Sequence, residues 1–130
     1  MLKVDKVSKY YGDFLAVDNL SFTVKPGEIF GLLGINGAGK TTTIKSIVGI
    51  LKFDEGEILV DGMSVKESPI ECKKKIAYIP DNPDLYEFLT GMEYINFVSN
   101  VYDEDVSKED IINLAKKFNL ENNLLEPIRT

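Results

Sequence analysis

Residues 34–41 read Gly34-Ile35-Asn36-Gly37-Ala38-Gly39-Lys40-Thr41, an unbroken match to G-x-x-x-x-G-K-[ST]. Glycines at these positions let the backbone curl until successive N–H groups point inward, which makes a nest for an anion. A helix opening near Lys40 would aim the positive end of its dipole at the same point. In such a phosphate loop the backbone of Gly34, Ile35, Asn36, Gly37, Ala38 and Gly39 cradles the anion. Lys40 reaches the β- and γ-phosphates as a point charge and is the one catalytic candidate. The Thr41 hydroxyl is a ligand for Mg²⁺, and Thr42 is placed to hydrogen-bond a further phosphate oxygen. The motif needs a strand before it and a helix after it. Residues 29–33 are an apolar run of strand length, expected to be covered on both faces. Residues 40–50 follow with helical patterning, Ile44, Ile47, Val48 and Leu51 sharing a face.

The rest of the chain mixes both periodicities. Residues 2–8 alternate at Leu2 and Val4 and then slip to Val7, which predicts a half-buried strand with one irregularity. Residues 21–24 alternate as well, and Lys25-Pro26-Gly27-Glu28 reads as a tight turn. Asp61-Gly62 between the extended runs 57–60 and 63–65 predicts a hairpin. Residues 69–75 read as a short helix and 76–79 as a buried strand stopped by Pro80. Thr90 and Glu93 have capping-box spacing, opening a helix to about Tyr102. A second helix over 107–118 places Ile111, Leu114, Ala115 and Phe118 on one face, and residues 120–130 carry no clear element. The class is α/β with a β-rich opening.

Composition narrows the function. A chain of 130 residues, 44% hydrophobic, buries one moderate core: a single domain or part of one. Its net charge of -6 makes it a poor general binder of nucleic acid, so no nucleic-acid partner is expected. Histidine is absent, which removes His metal sites and His-dependent nucleophilic catalysis. The single cysteine, Cys72, permits no intramolecular disulfide and fits a reducing compartment. Lys73, Lys74 and Lys75 could lower its pKa; the other reading is a surface or half-buried thiol on a helix. No apolar run approaches the roughly 20 residues of a membrane span, and no signal-peptide core follows Met1. A cytoplasmic location is expected, at the membrane only through a partner.

Val7-Ser8-Lys9-Tyr10-Tyr11-Gly12, then Ala16-Val17-Asp18-Asn19-Leu20-Ser21-Phe22 and Pro26-Gly27-Glu28, closely resemble the opening of ABC transporter ATPase domains. Gly56-Glu57-Ile58, the Asp61-Gly62 turn and Ile76-Ala77-Tyr78-Ile79-Pro80 extend the resemblance, in the family's order, over residues 2–130. It implies a P-loop NTPase (ABC ATPase) fold, incomplete. About 1–86 would form an antiparallel β-subdomain with the P-loop strand and helix, and about 87–130 the start of the helical subdomain. It also implies ATP and Mg²⁺ as ligands, with Tyr11 stacking on adenine. A flat electron-rich ring suits a purine, although Tyr10 is a neighbouring candidate and either ring could simply pack in the β-subdomain. Asp81 stands where the family usually has a glutamine that touches Mg²⁺, within Asp81-Asn82-Pro83-Asp84-Leu85-Tyr86, a variant resembling bacterial exporters. Its carboxylate could face the metal or cap the turn before Asn82-Pro83.

The family's LSGGQ-type signature, Walker B Asp, catalytic Glu and switch His are absent from these 130 residues. Residues 58–61 imitate a Walker B strand, but Gly62 makes Asp61 a turn residue; residues 79–81 imitate it too, where the resemblance places the Q-loop. The expectation is a fragment that holds phosphates, does not turn over ATP alone, and is marginally stable or pairs with another chain through an open sheet edge. The whole protein would be the ATP-hydrolysing subunit of an exporter. Its partners would be a second ABC ATPase subunit and membrane-spanning transporter subunits at the inner face of the cell membrane. An ABC protein without a transport role and a P-loop small-molecule kinase are the alternatives. A GTPase would need N-K-x-D, which is missing.

Overall fold

The slip from Val4 to Val7 in the hydrophobic pattern is a β-bulge. In the computed structural model, which describes residues 1–82 and 85–129, β1 (Leu2–Tyr11) pairs antiparallel with β2 (Phe14–Val24) from Leu2↔Val24 to Tyr11↔Phe14, and the register shifts between Val4 and Val7. On its other edge β1 pairs with β3 (Glu55–Val60) from Leu2↔Val60 to Ser8↔Glu55, with a shift between Asp5 and Ser8. The extra residue turns Val7 back inward, so Val4 and Val7 are both buried. Gly56 makes room for the bulge. A Cβ there would stand 2.3 Å from the Lys6 carbonyl oxygen and 2.5 Å from that of Asp5.

The predicted hairpin follows. β3 joins β4 (Met63–Ser64) through Asp61 and Gly62, with φ of 49° and 82°, the doubly positive pair of a type I′ turn. The sheet order is β2-β1-β3-β4. Val4, Val7, Ile58 and Val60 meet Phe53, Val65 and Cys72 in one core, with Cys72 supplied by α2 (Pro69–Lys73). α1 (Lys40–Ile47) adds Ile47 to that core, but its buried positions are Thr43 and Ser46. The stripe expected through Ile44 is not the buried one: Ile44 is exposed.

Neither predicted parallel-type strand forms among the described residues. Residues 29–33 are unpaired, with Ile29 100% and Leu33 93% exposed, and residues 76–79 are likewise without a ladder. A strand meant to be covered on both faces exists only when neighbours pair and cover it, and no described residue does so. Phe30 stacks on Phe22 with centroids 4.8 Å apart, and Leu32 is half-buried.

The chain divides into two compact units, Met1–Tyr78 and Ile79–Thr130. The second contains α3 (Gly91–Val101) and α4 (Lys108–Lys117). The capping box at Thr90 and Glu93 is formed in full, and Ser107 caps α4. Ile111 and Ala115 of α4 pack with Leu124, whereas Leu114 and Phe118, expected on the same face, are exposed. A 3₁₀ turn (Glu121–Asn123) and a bridge between Thr90 and Pro127 occupy the segment in which no element was predicted.

Candidate functional site

The glycine-rich loop closes on itself. The Ala38 N–H donates to the Ile35 carbonyl at 3.2 Å, and Gly37 and Gly39 take φ of 84° and 80°. Gly39 is the N-cap of α1, and the Thr43 N–H and hydroxyl both donate to its carbonyl, at 2.8 and 2.9 Å. The N–H groups of Lys40, Thr41 and Thr42 make no hydrogen bond among the described residues, and no acidic side chain sits in this first turn. Three unspent donors at a helix N-terminus, with no built-in counter-charge, are suited to an anion.

Lys40 is folded into the loop, its Nζ donating to the carbonyls of Gly34 and Ile35 at 2.7 Å each. Those bonds hold the ammonium against the loop rather than leaving it to swing in solvent. The Thr41 and Thr42 hydroxyls accept and donate no hydrogen bond among the described residues, whereas the nearby Thr43 and Ser46 hydroxyls are spent on Gly39 and Thr42 carbonyls. Thr41 is therefore free to serve a cation. Among the described residues no group of three or more His, Cys, Asp or Glu could hold a metal. A lone hydroxyl still fits Mg²⁺, which keeps several waters and takes its other ligands from bound phosphate.

The β1–β2 hairpin backs the loop. A Cβ on Gly39 would stand 2.4 Å from the Ala16 carbonyl oxygen and 3.1 Å from a Val17 methyl. A cavity of about 440 Å³ runs between Gly37, Ala38 and Lys40 on one side and Ala16, Val17 and Asp18 on the other. Tyr11 ends β1 on the same hairpin and is 48% exposed, with the Lys9 ammonium 5.5 Å from its ring centroid. Tyr10 is also exposed.

Sequence reasoning missed Asp54. Its carboxylate accepts from Lys9 Nζ at 3.0 Å and from the Tyr10 N–H at 2.7 Å. The Tyr10 N–H first, and Lys9 second, hold the carboxyl below the usual aspartate range. Nothing in its spacing signalled this, because the partners lie 44 and 45 residues away.

Asp81 belongs to the second compact unit and lies in an exposed bend; Pro83 and Asp84 of its motif lie outside the described residues. Asp61 is a turn residue, as expected. It accepts from the Met1 amino group and Lys75, which hold its carboxyl low, the amino group contributing most. The reactive reading of Cys72 is overturned: the thiol is buried in the core with Sγ 3.5 Å from the Met63 carbonyl oxygen, out of reach of reagents. No helix among the described residues is long and apolar enough to cross a membrane.

Comparison with known proteins agrees with this geometry. The ABC transporter family profile matches residues 17–130. The uncharacterised ABC transporter ATP-binding protein YhcH of Bacillus subtilis is 35% identical over 130 residues, covering 100% of this chain and 42% of that protein. The SkfA peptide export ATP-binding protein SkfE of Bacillus subtilis is 43% identical over 124 residues, covering 93% of this chain and 51% of that protein. Among solved structures, an ATP-binding subunit of an ABC transporter superposes with a TM-score of 0.84 at 33% identity, over 97% of this chain and 53% of that one. The chain thus spans about half the length of the curated relatives it matches. An antiparallel sheet with a phosphate loop and its helix inserted between β2 and β3, followed by a helical unit, is part of the ABC ATPase fold. On the loop, the fold and the extent of these matches, the chain belongs to the ABC transporter family.

Proposed function

We propose that this chain supplies the ATP-gripping part of a motor that drives export across a membrane. The observation that carries the reading is the set of three unspent N–H groups at the start of α1, with the Lys40 ammonium held against the loop. Gly34, Ile35, Asn36, Gly37, Ala38 and Gly39 wrap the phosphates, Lys40 neutralises them, and Thr42 adds a hydroxyl. Tyr11 stacks on the adenine. Thr41 would hold Mg²⁺, which when bound spreads phosphate charge, and Asp81 is by its chemistry a second candidate ligand for that ion or else a cap of its own turn. The family's ATPase chemistry needs motifs outside these 130 residues, so the chain alone binds ATP without turning it over. Export is favoured because the similar protein SkfE is described as a peptide export ATP-binding protein. The partners follow: a second ATPase subunit and membrane-spanning subunits, with the chain on the cytoplasmic face of the membrane. About 1–86 act as the nucleotide-holding part and about 87–130 as the start of a helical subdomain.

Calorimetric titration with ATP, GTP and tripolyphosphate tests this. ATP should bind tightest, and K40A should cost about 2 kcal/mol for all three ligands, the worth of charge-assisted hydrogen bonds. Equal affinity for ATP and tripolyphosphate would remove the adenine role, and an unaffected K40A would remove the phosphate site. D81A should weaken ATP binding with Mg²⁺ present and leave Mg²⁺-free binding unchanged; no Mg²⁺ dependence of the effect makes Asp81 a turn residue only.

A further inference from the structure

β1 outruns its partner. The ladder to β3 ends at Ser8↔Glu55, while β1 continues to Tyr11, so on that edge Lys9, Tyr10 and Tyr11 have no strand beside them among the described residues. Asp54, just before β3, fills the gap. Its own N–H donates to the Ser8 carbonyl at 3.0 Å, and its carboxylate takes the Tyr10 N–H at 2.7 Å and Lys9 Nζ at 3.0 Å. Three successive residues of β1 are therefore fastened by one residue. Lys9, 14% exposed along its side chain, is in turn the cation over the Tyr11 ring at 5.5 Å.

We infer that Asp54 is a positioning residue for the base-binding side of the site, an inference that rests on the reading of Tyr11 as the adenine platform. Asp54 replaces the missing strand, fixes the backbone that carries Tyr11, and seats the Lys9 ammonium against one face of the ring. The opposite face is left for the purine. An aromatic platform at the end of an unpaired strand would otherwise spend binding free energy on being ordered. Asp54 bonds to Ser8, Lys9 and Tyr10 and to no described residue of the phosphate loop, so its effect should fall on base binding through Tyr11.

The experiment compares Kd for ATP with Kd for tripolyphosphate in the wild-type chain and in Y11A, D54A, D54N and K9M. Y11A should lower ATP affinity about tenfold, the worth of one base stacked on an aromatic ring. D54A should lower it by about threefold, and both should leave tripolyphosphate binding unchanged. D54N keeps an acceptor for the Tyr10 N–H and should lose less than D54A. Amide exchange at Tyr10 should speed up in D54A and not in Y11A. Equal losses for ATP and tripolyphosphate in D54A, or none for ATP, overturn the positioning role while leaving Tyr11 intact. An unchanged ATP preference in Y11A overturns both readings. If D54A does not fold, wild-type ATP preference in both D54N and K9M overturns the proposal.

Discussion

Gly39 and Gly56 are both at left-handed φ and both press on the backbone of the β1–β2 hairpin, yet their substitutions should separate. A Cβ on Gly39 meets the Ala16 carbonyl at 2.4 Å, and one on Gly56 meets the Lys6 carbonyl at 2.3 Å. Backbone contacts at that distance force a shift, and positive φ adds strain of its own, so each alanine should cost about 2 kcal/mol or more in a urea melt. Gly39 also caps α1 and belongs to the anion nest. G39A should therefore lose tripolyphosphate binding at least tenfold, an estimate of about one charge-assisted hydrogen bond. G56A should destabilise by a similar amount and leave ligand affinity, measured below the onset of melting, as in the wild type. Equal binding losses in the two variants would mean that the loop follows hairpin stability and not local geometry. The loop itself was legible because its chemistry is written in consecutive residues. Asp54 was not, because its partners come together only when β1 and the segment before β3 are side by side.

At the scale of elements, α3 shows what local sequence can decide. The Glu93 N–H donates to the Thr90 hydroxyl at 3.2 Å, and the Thr90 N–H donates to the Glu93 carboxylate at 2.8 Å. T90A should cost about 1 kcal/mol, the usual worth of an N-cap. The Thr90 N–H first, then its hydroxyl, hold the Glu93 carboxyl below the ordinary glutamate range. A folded-state pKa that is depressed gives stability that is full above the unfolded pKa and is lost as pH falls through the folded value. α3 should therefore fray below about pH 4.5, the ordinary glutamate range, and E93Q, which keeps an acceptor and does not titrate, should flatten that acid limb in circular dichroism. An E93Q limb as steep as the wild type would assign the loss to other carboxylates. α1 was legible in existence and in facing only in part, since Ile47 reaches the core while Ile44 is exposed. Periodicity marked Ile44, but Thr43 and Ser46 are the buried pair because their hydroxyls return to the Gly39 and Thr42 carbonyls. A polar side chain bonded one turn back is buried without an orphaned group, which a count of apolar residues does not register.

Across the whole molecule the antiparallel sheet was readable in part, alternation marking residues 2–8 of β1 and only 21–24 of β2, and the parallel-type strands were not realised. Turn residues and alternation specify β1 to β4 from within, as Asp61-Gly62 does for one hairpin. Residues 29–33 carry the composition of a strand but depend on neighbours, and none of the described residues pairs with them. The consequence is apolar surface open to water, with Ile29 100% and Leu33 93% exposed. Covering two such side chains returns about 3–6 kcal/mol, against an association cost of about 4–15 kcal/mol. The gain reaches only the lower end of that cost, so the expected result is weak, concentration-dependent self-association and not a tight dimer. An unpaired apolar segment is also the place where another chain's strand adds most readily. Sedimentation velocity over a concentration series should show the wild-type chain drifting to larger species. Lysines at these two positions (I29K with L33K) remove the apolar gain and add like charges that repel across any self-pairing, so the double variant should stay monomeric. Because neither side chain belongs to the buried core, its melting midpoint should not fall. A wild-type chain that remains monomeric throughout, or a double variant that associates as strongly, would mean that these side chains do not drive the contact.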